Sequence, residues 1–194
     1  MSMNLPVQEK VDPRVRRTRA LIVQAFFEIL DAKGFQSISV QDITGKAGIN
    51  RSTFYLHFPD KFALVDYSIG EMFRQEIEKR VLNACHFSEG NLRALILTVS
   101  DFVATANAHC ASADPQFESL VEAQVKRQTQ DLLQVWIEAA DPGPDCRTTA
   151  IAASWAIYGL ALEWSRDRKH TPAEAFADQV LPRIAAILGL QQPA

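Results

Sequence analysis

Apolar residues recur along this chain at the three-and-four spacing of α-helices, and caps and breakers between them divide the pattern into eight segments. Asp12-Pro13 opens the first, whose stripe of Ile22, Ala25, Phe26, Ile29 and Leu30 ends at Gly34-Phe35. Ser39 is an N-cap with Asp42 three residues on, a capping-box pair, and Val40, Ile43 and Ala47 give the helix behind it one apolar face. Gly48 suits the left-handed residue that closes a helix, with Ile49 able to pack back on the helix it ends. Asn50 caps a third helix, on which Phe54 and Phe58 fall together while Ser52, Tyr55 and Leu56 point the other way.

A long helix over about 61–83 follows, with Phe62, Val65, Ile69, Phe73, Ile77 and Val81 on one stripe. Further helices are expected over about 89–109, 115–139, 145–168 and 172–189, separated by Ala-Ser-Ala-Asp-Pro, Asp-Pro-Gly-Pro and a Lys-His-Thr-Pro turn. Strand-like alternation, internal repeats and low-complexity runs are absent from the sequence. The expected fold is all-α: a disordered tail over 1–10, a three-helix unit over 11–60, and an antiparallel helical bundle over 61–194. The 194 residues, 47% hydrophobic and 22% charged, are enough for one large or two small helical domains.

Two short helices joined at a glycine, the second with an aromatic and hydroxyl outer face, have the form of a helix-turn-helix for the DNA major groove. Hydroxyls of Ser52, Thr53 and Tyr55 can bond phosphate oxygens, Arg51 can reach base or backbone, and Leu56 can contact a thymine methyl. Lys61 adds a cation at the start of the following helix. On these residues alone, a helical hairpin with a solvated polar face is the competing reading.

Charge changes that balance. The chain carries a net charge of −3, yet residues 1–62 hold nine Lys/Arg against six Asp/Glu, leaving −6 on the remainder. Cations gathered at one end give an electrostatic footprint for phosphate, and an acidic remainder discourages binding elsewhere.

The stretch GFQSISVQDITGKAGINRSTFYLHFPDKFAL, residues 34–64, resembles the DNA-binding region of the tetracycline-repressor-like (TetR/AcrR) transcriptional regulators. The likeness lies in the glycine-aromatic entry, the capped second helix, the Gly-Ile-Asn start, the Thr-Phe-Tyr-Leu-His-Phe core and the Asp-Lys opening of the fourth helix, and it covers about residues 12–66. It implies that Ser39, Gln41, Tyr55, His57 and Lys61 hold phosphates, with Arg51, Ser52 and Thr53 nearest the bases. Leu56 departs from the polar or aromatic residue often found there, and His57 can equally be a half-covered histidine beside Phe54 and Phe58. The implied partners are a palindromic double-stranded DNA operator, a second copy of the chain and a small-molecule effector, mostly apolar, that releases a repressor from DNA. An adaptor or co-activator acting through a protein partner is the alternative.

The segment 145–168 is apolar on more than one side: Ile151, Trp155, Tyr158 and Leu162 form one stripe, while Ile157, Leu160 and Trp164 continue round it. In 172–189, Phe176, Val180, Ile184, Ile187 and Leu188 are similarly generous. These helices are either a central pair within one subunit or, as the resemblance implies, a homodimer interface of Ile151, Trp155, Tyr158, Leu162, Phe176, Val180, Ile184 and Ile187. In 115–139 the stripe of Phe117, Val121, Val125, Leu132 and Val135 is broken by Gln128 and edged by Gln124. A buried amide needs a bond, so these glutamines either bond protein or water inside the bundle or furnish a ligand pocket walled by Phe102, Trp136, Trp155 and Tyr158.

The remaining chemistry is sparse. Three scattered cysteines suit a reduced, cytoplasmic chain, and the longest nearly apolar run, Ala150 to Leu162, is too short to span a bilayer. Cys85-His86 and His109-Cys110 look like metal ligands but sit a helix length apart, so no metal is expected, nor any cofactor. Catalysis is not expected either: the sequence has no Gly-rich phosphate loop, no His-Glu-x-x-His and no nucleophile with a base at readable spacing.

Overall fold

The computed structural model describes residues 12–81, 86–109, 115–140, 142–167, 169 and 171–189. Among these the regular structure is entirely helical: α1 (Pro13–Lys33), α2 (Val40–Ala47), α3 (Arg51–His57), α4 (Lys61–Arg80), α5 (Glu89–His109), α6 (Pro115–Ala140), α7 (Cys146–Arg166) and α8 (Ala173–Leu188). Residues 1–10, Cys85 and Cys110 lie outside the described residues. The chain divides into two compact units, residues 1–65 and 66–194, and α4 runs across the division.

In the first unit the local signals act as the sequence suggests. Asp12 caps α1, accepting from the Arg14 amide at 2.8 Å. Ser39 and Asp42 form the full capping box of α2, and Lys33, at the end of α1, reaches the same carboxylate at 2.7 Å. These donors hold the Asp42 carboxyl well below the usual carboxylate range. Gly48 closes α2 in the left-handed region at φ 67°. Asn50 occupies the N-cap of α3, but its side chain makes no capping bond. The helix is instead held by its apolar side, where Phe54 and Phe58 are buried with Ile22, Phe26, Phe35, Ile38 and Ile43.

The second unit is organised around α7, which packs against α5, α6 and α8. Three neighbours explain why α7 is apolar on several sides. Its buried Ala150, Ala153 and Ala161 let those neighbours approach closely, with Ile157 completing the contact. On α8, Phe176, Val180 and Ile184 face inward, and Phe176 stacks on Trp164 at 5.2 Å between ring centres. A bidentate pair from Arg93 to Asp178, at 2.6 and 3.2 Å, links α5 to α8.

Between α4 and α6 the contact is polar. The buried Gln124 donates through Nε2 to Asp66 and accepts from Arg127 at 2.8 Å, while Gln128 donates to the Gly70 carbonyl at 2.9 Å. Gly70 lacks the Cβ that would stand 3.0 Å from the Gln124 amide oxygen, so it leaves room for this seam. Replacing Gln124 by Leu strips the seam of a donor and an acceptor without emptying the site. It should lower stability by about 1–3 kcal/mol, read as a shift in the urea midpoint at unchanged slope. An unshifted midpoint would show the seam to be dispensable.

Candidate functional site

The outer face of α3 is the most distinctive surface of the first unit. Phe54 has no exposed surface and lies 5.9 Å from Phe58, ring to ring, so one side of this seven-residue helix is fixed. Opposite it Arg51, Ser52, Tyr55 and Leu56 are exposed, Leu56 to 83%, and Thr53 is half-buried at the flank. The Arg51 guanidinium donates to the Tyr55 hydroxyl at 3.3 Å, which holds the two longest side chains of this face together. Gln41, on α2, is exposed; Ser39 is exposed too, but its hydroxyl is engaged with the Asp42 carboxylate and amide. An exposed phenol, guanidinium, hydroxyl and methyl-rich side chain on one helix can bond phosphate oxygens and base edges and touch a thymine methyl.

Lys61 is placed differently from the expected phosphate contact. Its ammonium donates to the carbonyls of Phe35, Gln36 and Ile38 at 3.0, 3.2 and 3.0 Å, above the Phe35 ring at 4.6 Å. An ammonium has three protons, and these three bonds use them all. The physical reason is the turn behind α1, which leaves carbonyls without helical donors. Such a turn shows itself only in three dimensions.

Among the described residues the other lysines of this unit are also committed, Lys33 to Asp42 and Lys46 to Glu28 at 2.9 Å. Among the described residues Arg14, Arg16, Arg17 and Arg51 pair with no carboxylate. The positive surplus of this unit is therefore presented by arginines, which suit phosphate by their forked geometry. His57 is half-buried, and burial together with the nearby Arg19 lowers its pKa below the ordinary histidine value.

In the second unit the residues expected to share a pocket are dispersed. Gln124 and Gln128 belong to the α4–α6 seam, Phe102 packs on Phe73 at 5.0 Å, and Trp136 is enclosed beside Phe87 at 6.2 Å. Trp155 is 59% exposed with the Lys126 ammonium over its ring at 3.2 Å. Of the expected set Tyr158 borders a cleft of about 60 Å³ between α5, α6 and α7. That cleft is lined by Val103, Ala106, Asn107, Phe117, Glu118, Val121, Glu122, Tyr158, Leu162 and Arg166. Glu118 and Glu122, one helical turn apart beside the Phe117–Val121 stripe, are the signal by which the sequence could have located it.

The expected interface residues separate as well. Tyr158, Phe176, Val180 and Ile184 are buried inside the subunit, Ile151 and Leu162 are half-buried, and only Trp155 and Ile187 are exposed. The periodicity located the apolar residues but could not tell an inner from an outer face on a helix with neighbours on several sides. Among the described residues no three His, Cys, Asp or Glu side chains are grouped to hold a metal, and no helix is long and apolar enough to cross a membrane.

The comparisons with known proteins bear on the whole of this arrangement. The family model for bacterial regulatory proteins of the tetR family matches residues 22–67. The HTH-type transcriptional regulator EthR of Mycolicibacterium smegmatis is 30% identical over 179 residues, 86% of this chain and 82% of that relative. An uncharacterized HTH-type transcriptional regulator of Bacillus subtilis, YxbF, is 38% identical over 63 residues, 32% of this chain, and the match spans 17% of that relative. Among solved structures, a TetR-family regulator from Streptomyces coelicolor superposes with a TM-score of 0.62 at 18% identity, covering 90% of this chain and 96% of its own.

Substituting Lys61 by Met keeps the aliphatic stem and removes all three donors. We expect a loss of about 1–3 kcal/mol in the stability of the first unit, measured by thermal denaturation, with no change in the salt dependence of DNA binding. A shallower salt slope at unchanged melting temperature would restore the phosphate role.

Proposed function

We infer the function from one premise: the chain belongs to the tetR family of bacterial regulatory proteins and is a DNA-binding transcriptional regulator, not an enzyme. The proposed reading is a cytoplasmic repressor that binds a palindromic operator as a homodimer and leaves it when a small effector occupies the 66–194 unit. The observation that carries it is the outer face of α3, an exposed Arg51–Tyr55 pair flanked by Ser52 and Leu56 on a helix pinned by Phe54. With α3 in the major groove, Arg51, Ser52 and Thr53 lie nearest the bases and Leu56 meets a thymine methyl. Tyr55, Gln41 and His57 take phosphate-backbone positions at the groove edge, while Ser39, its donors committed to Asp42, supports the start of α2.

One such helix reads one half-site; a palindrome needs two, about 34–36 Å apart on the same face of the duplex. The surface best fitted to join two copies is the outer row of α7 and α8. On α7 it comprises Ala152, Ala156 and Gly159 with Trp155 and Leu160 at the margins, and on α8 the exposed Ala175, Gln179, Pro182, Ala186 and Ile187. Small side chains let a partner helix come close, and the flanking apolar groups lose water on contact. Effector release requires the ligand to prefer the released state, for which a coupling of about 1–3 kcal/mol is ordinary.

Operator binding is tested by mobility shift against the palindrome upstream of the chain's own gene at several salt concentrations. Tyr55→Phe should weaken binding, and Arg51→Ala should weaken it and relax base preference by about 1–3 kcal/mol at the contacted position. Wild-type affinity in both variants would remove α3 as the reading helix. For the dimer, Gly159→Glu with Ile187→Glu places charge on the outer row. A Cβ at Gly159 meets nothing within 4 Å, so the subunit's own packing is untouched. Sedimentation should show dimers for the wild type and monomers for the variant, with equal helical signal by circular dichroism; a dimeric variant would place the interface elsewhere.

A further inference from the structure

The cleft between α5, α6 and α7 has a donor and acceptor balance that an apolar effector does not explain. Its polar lining is rich in acceptors. Glu118 pairs with no cation among the described residues, and the Tyr158 hydroxyl has no hydrogen-bond partner there although the residue is only 8% exposed. Asn107 donates one of its two amide hydrogens to Ser165 at 2.7 Å, which leaves its carbonyl oxygen and one N–H. Arg166 also lines the cleft, with its guanidinium directed to Glu163 at 3.8 Å. The apolar part of the wall includes Phe117 and the Tyr158 ring.

The same wall already holds an ammonium supplied by the protein itself. Lys126 donates to Glu122 at 2.6 Å, lies over the Trp155 ring at 3.2 Å and is 5.9 Å from the Tyr158 ring. Carboxylate and aromatic faces together favour a cation over any neutral group. Glu118, one turn before Glu122 on α6, repeats the carboxylate half of this arrangement on the cleft side with no cation paired to it among the described residues, since Arg166 is directed to Glu163. Burial and the two glutamates push the Tyr158 phenol up to about 12, so it stays neutral and can accept a hydrogen bond from a donor ligand.

We propose that this cleft binds a compact organic cation, an alkylammonium whose N–H groups bond Glu118 and the Tyr158 hydroxyl while its short apolar body lies against Phe117. The size of the space, about 60 Å³, limits the body to a few carbon atoms unless the walls part. The inference rests on the reading of the 66–194 unit as the effector-binding body and names the chemical class of the effector.

The test uses the full-length protein at neutral pH and three matched probes: n-butylammonium, n-butanol and butyrate, titrated by nuclear magnetic resonance chemical shifts. Butylammonium should bind about tenfold or more tightly than the other two, the margin of a charge-assisted bond in a half-buried site. Glu118→Gln should remove that margin and leave n-butanol unchanged, and Tyr158→Phe should reduce butylammonium affinity with the cleft walls intact. Equal affinity for the three probes, or Glu118→Gln with wild-type preference, would overturn the cation site. A mobility shift in the presence of butylammonium separates the two readings. Cation binding without operator release leaves the site standing and removes its effector role, whereas failure of the cation to bind, with operator binding intact, removes the site alone.

Discussion

A helix of seven or eight residues has no stability of its own in water, because nucleation costs more than so few hydrogen bonds return. Both α2 and α3 are of this length. Everything around them acts as external support: the capping box at Ser39 and Asp42, the left-handed Gly48, the buried Phe54 and Phe58, and the Lys61 ammonium drawn into the turn behind α1. With the inner side so heavily constrained, the outer side of α3 is held in place without taking part in its own support.

The second unit meets a different constraint. A long helix packed against three others must be approached closely on several sides, and α7 meets this with buried alanines beside large side chains on its inner faces. Where full apolar packing is not used, between α4 and α6, paired amides and a glycine take its place. A buried amide with its partners satisfied fixes register in a way that interchangeable methyl groups do not.

The helix boundaries were legible because each is written in local chemistry: Asp12-Pro13, Ser39 with Asp42, Gly48 and the Asp-Pro-Gly-Pro break act within a few residues of themselves. The exposed face of α3 was legible for the same reason, since a helix of known phase with two phenylalanines on one side must show its other residues outward. Long-range commitments were not. Lys61 reads as a surface cation until the carbonyls of residues 35–38 are brought to it, and Gln124, which in sequence is open between a bonded core amide and a pocket lining, is shown as the former only when Asp66 is placed beside it. For α7 and α8 apolar periodicity reports burial without saying against what: Val180 and Ile187, seven residues apart and so on nearly the same side of α8, look alike in sequence, yet one is buried and the other is 40% exposed. The cleft was legible only in part: Tyr158 was expected at a pocket and Glu118 with Glu122 left a local mark on α6, but that the two helices stand side by side is written in no local pattern.

The separation of supporting from exposed residues on α3 has an evolutionary consequence. Arg51, Ser52, Tyr55 and Leu56 are all exposed, whereas Phe54 and Phe58 anchor the helix in the core. Substitutions at exposed positions away from packing and caps usually change stability by within about 0.5 kcal/mol. After gene duplication, the four outward positions are therefore free to vary without endangering folding, and a daughter protein can acquire a new target while the scaffold beneath it stays the same.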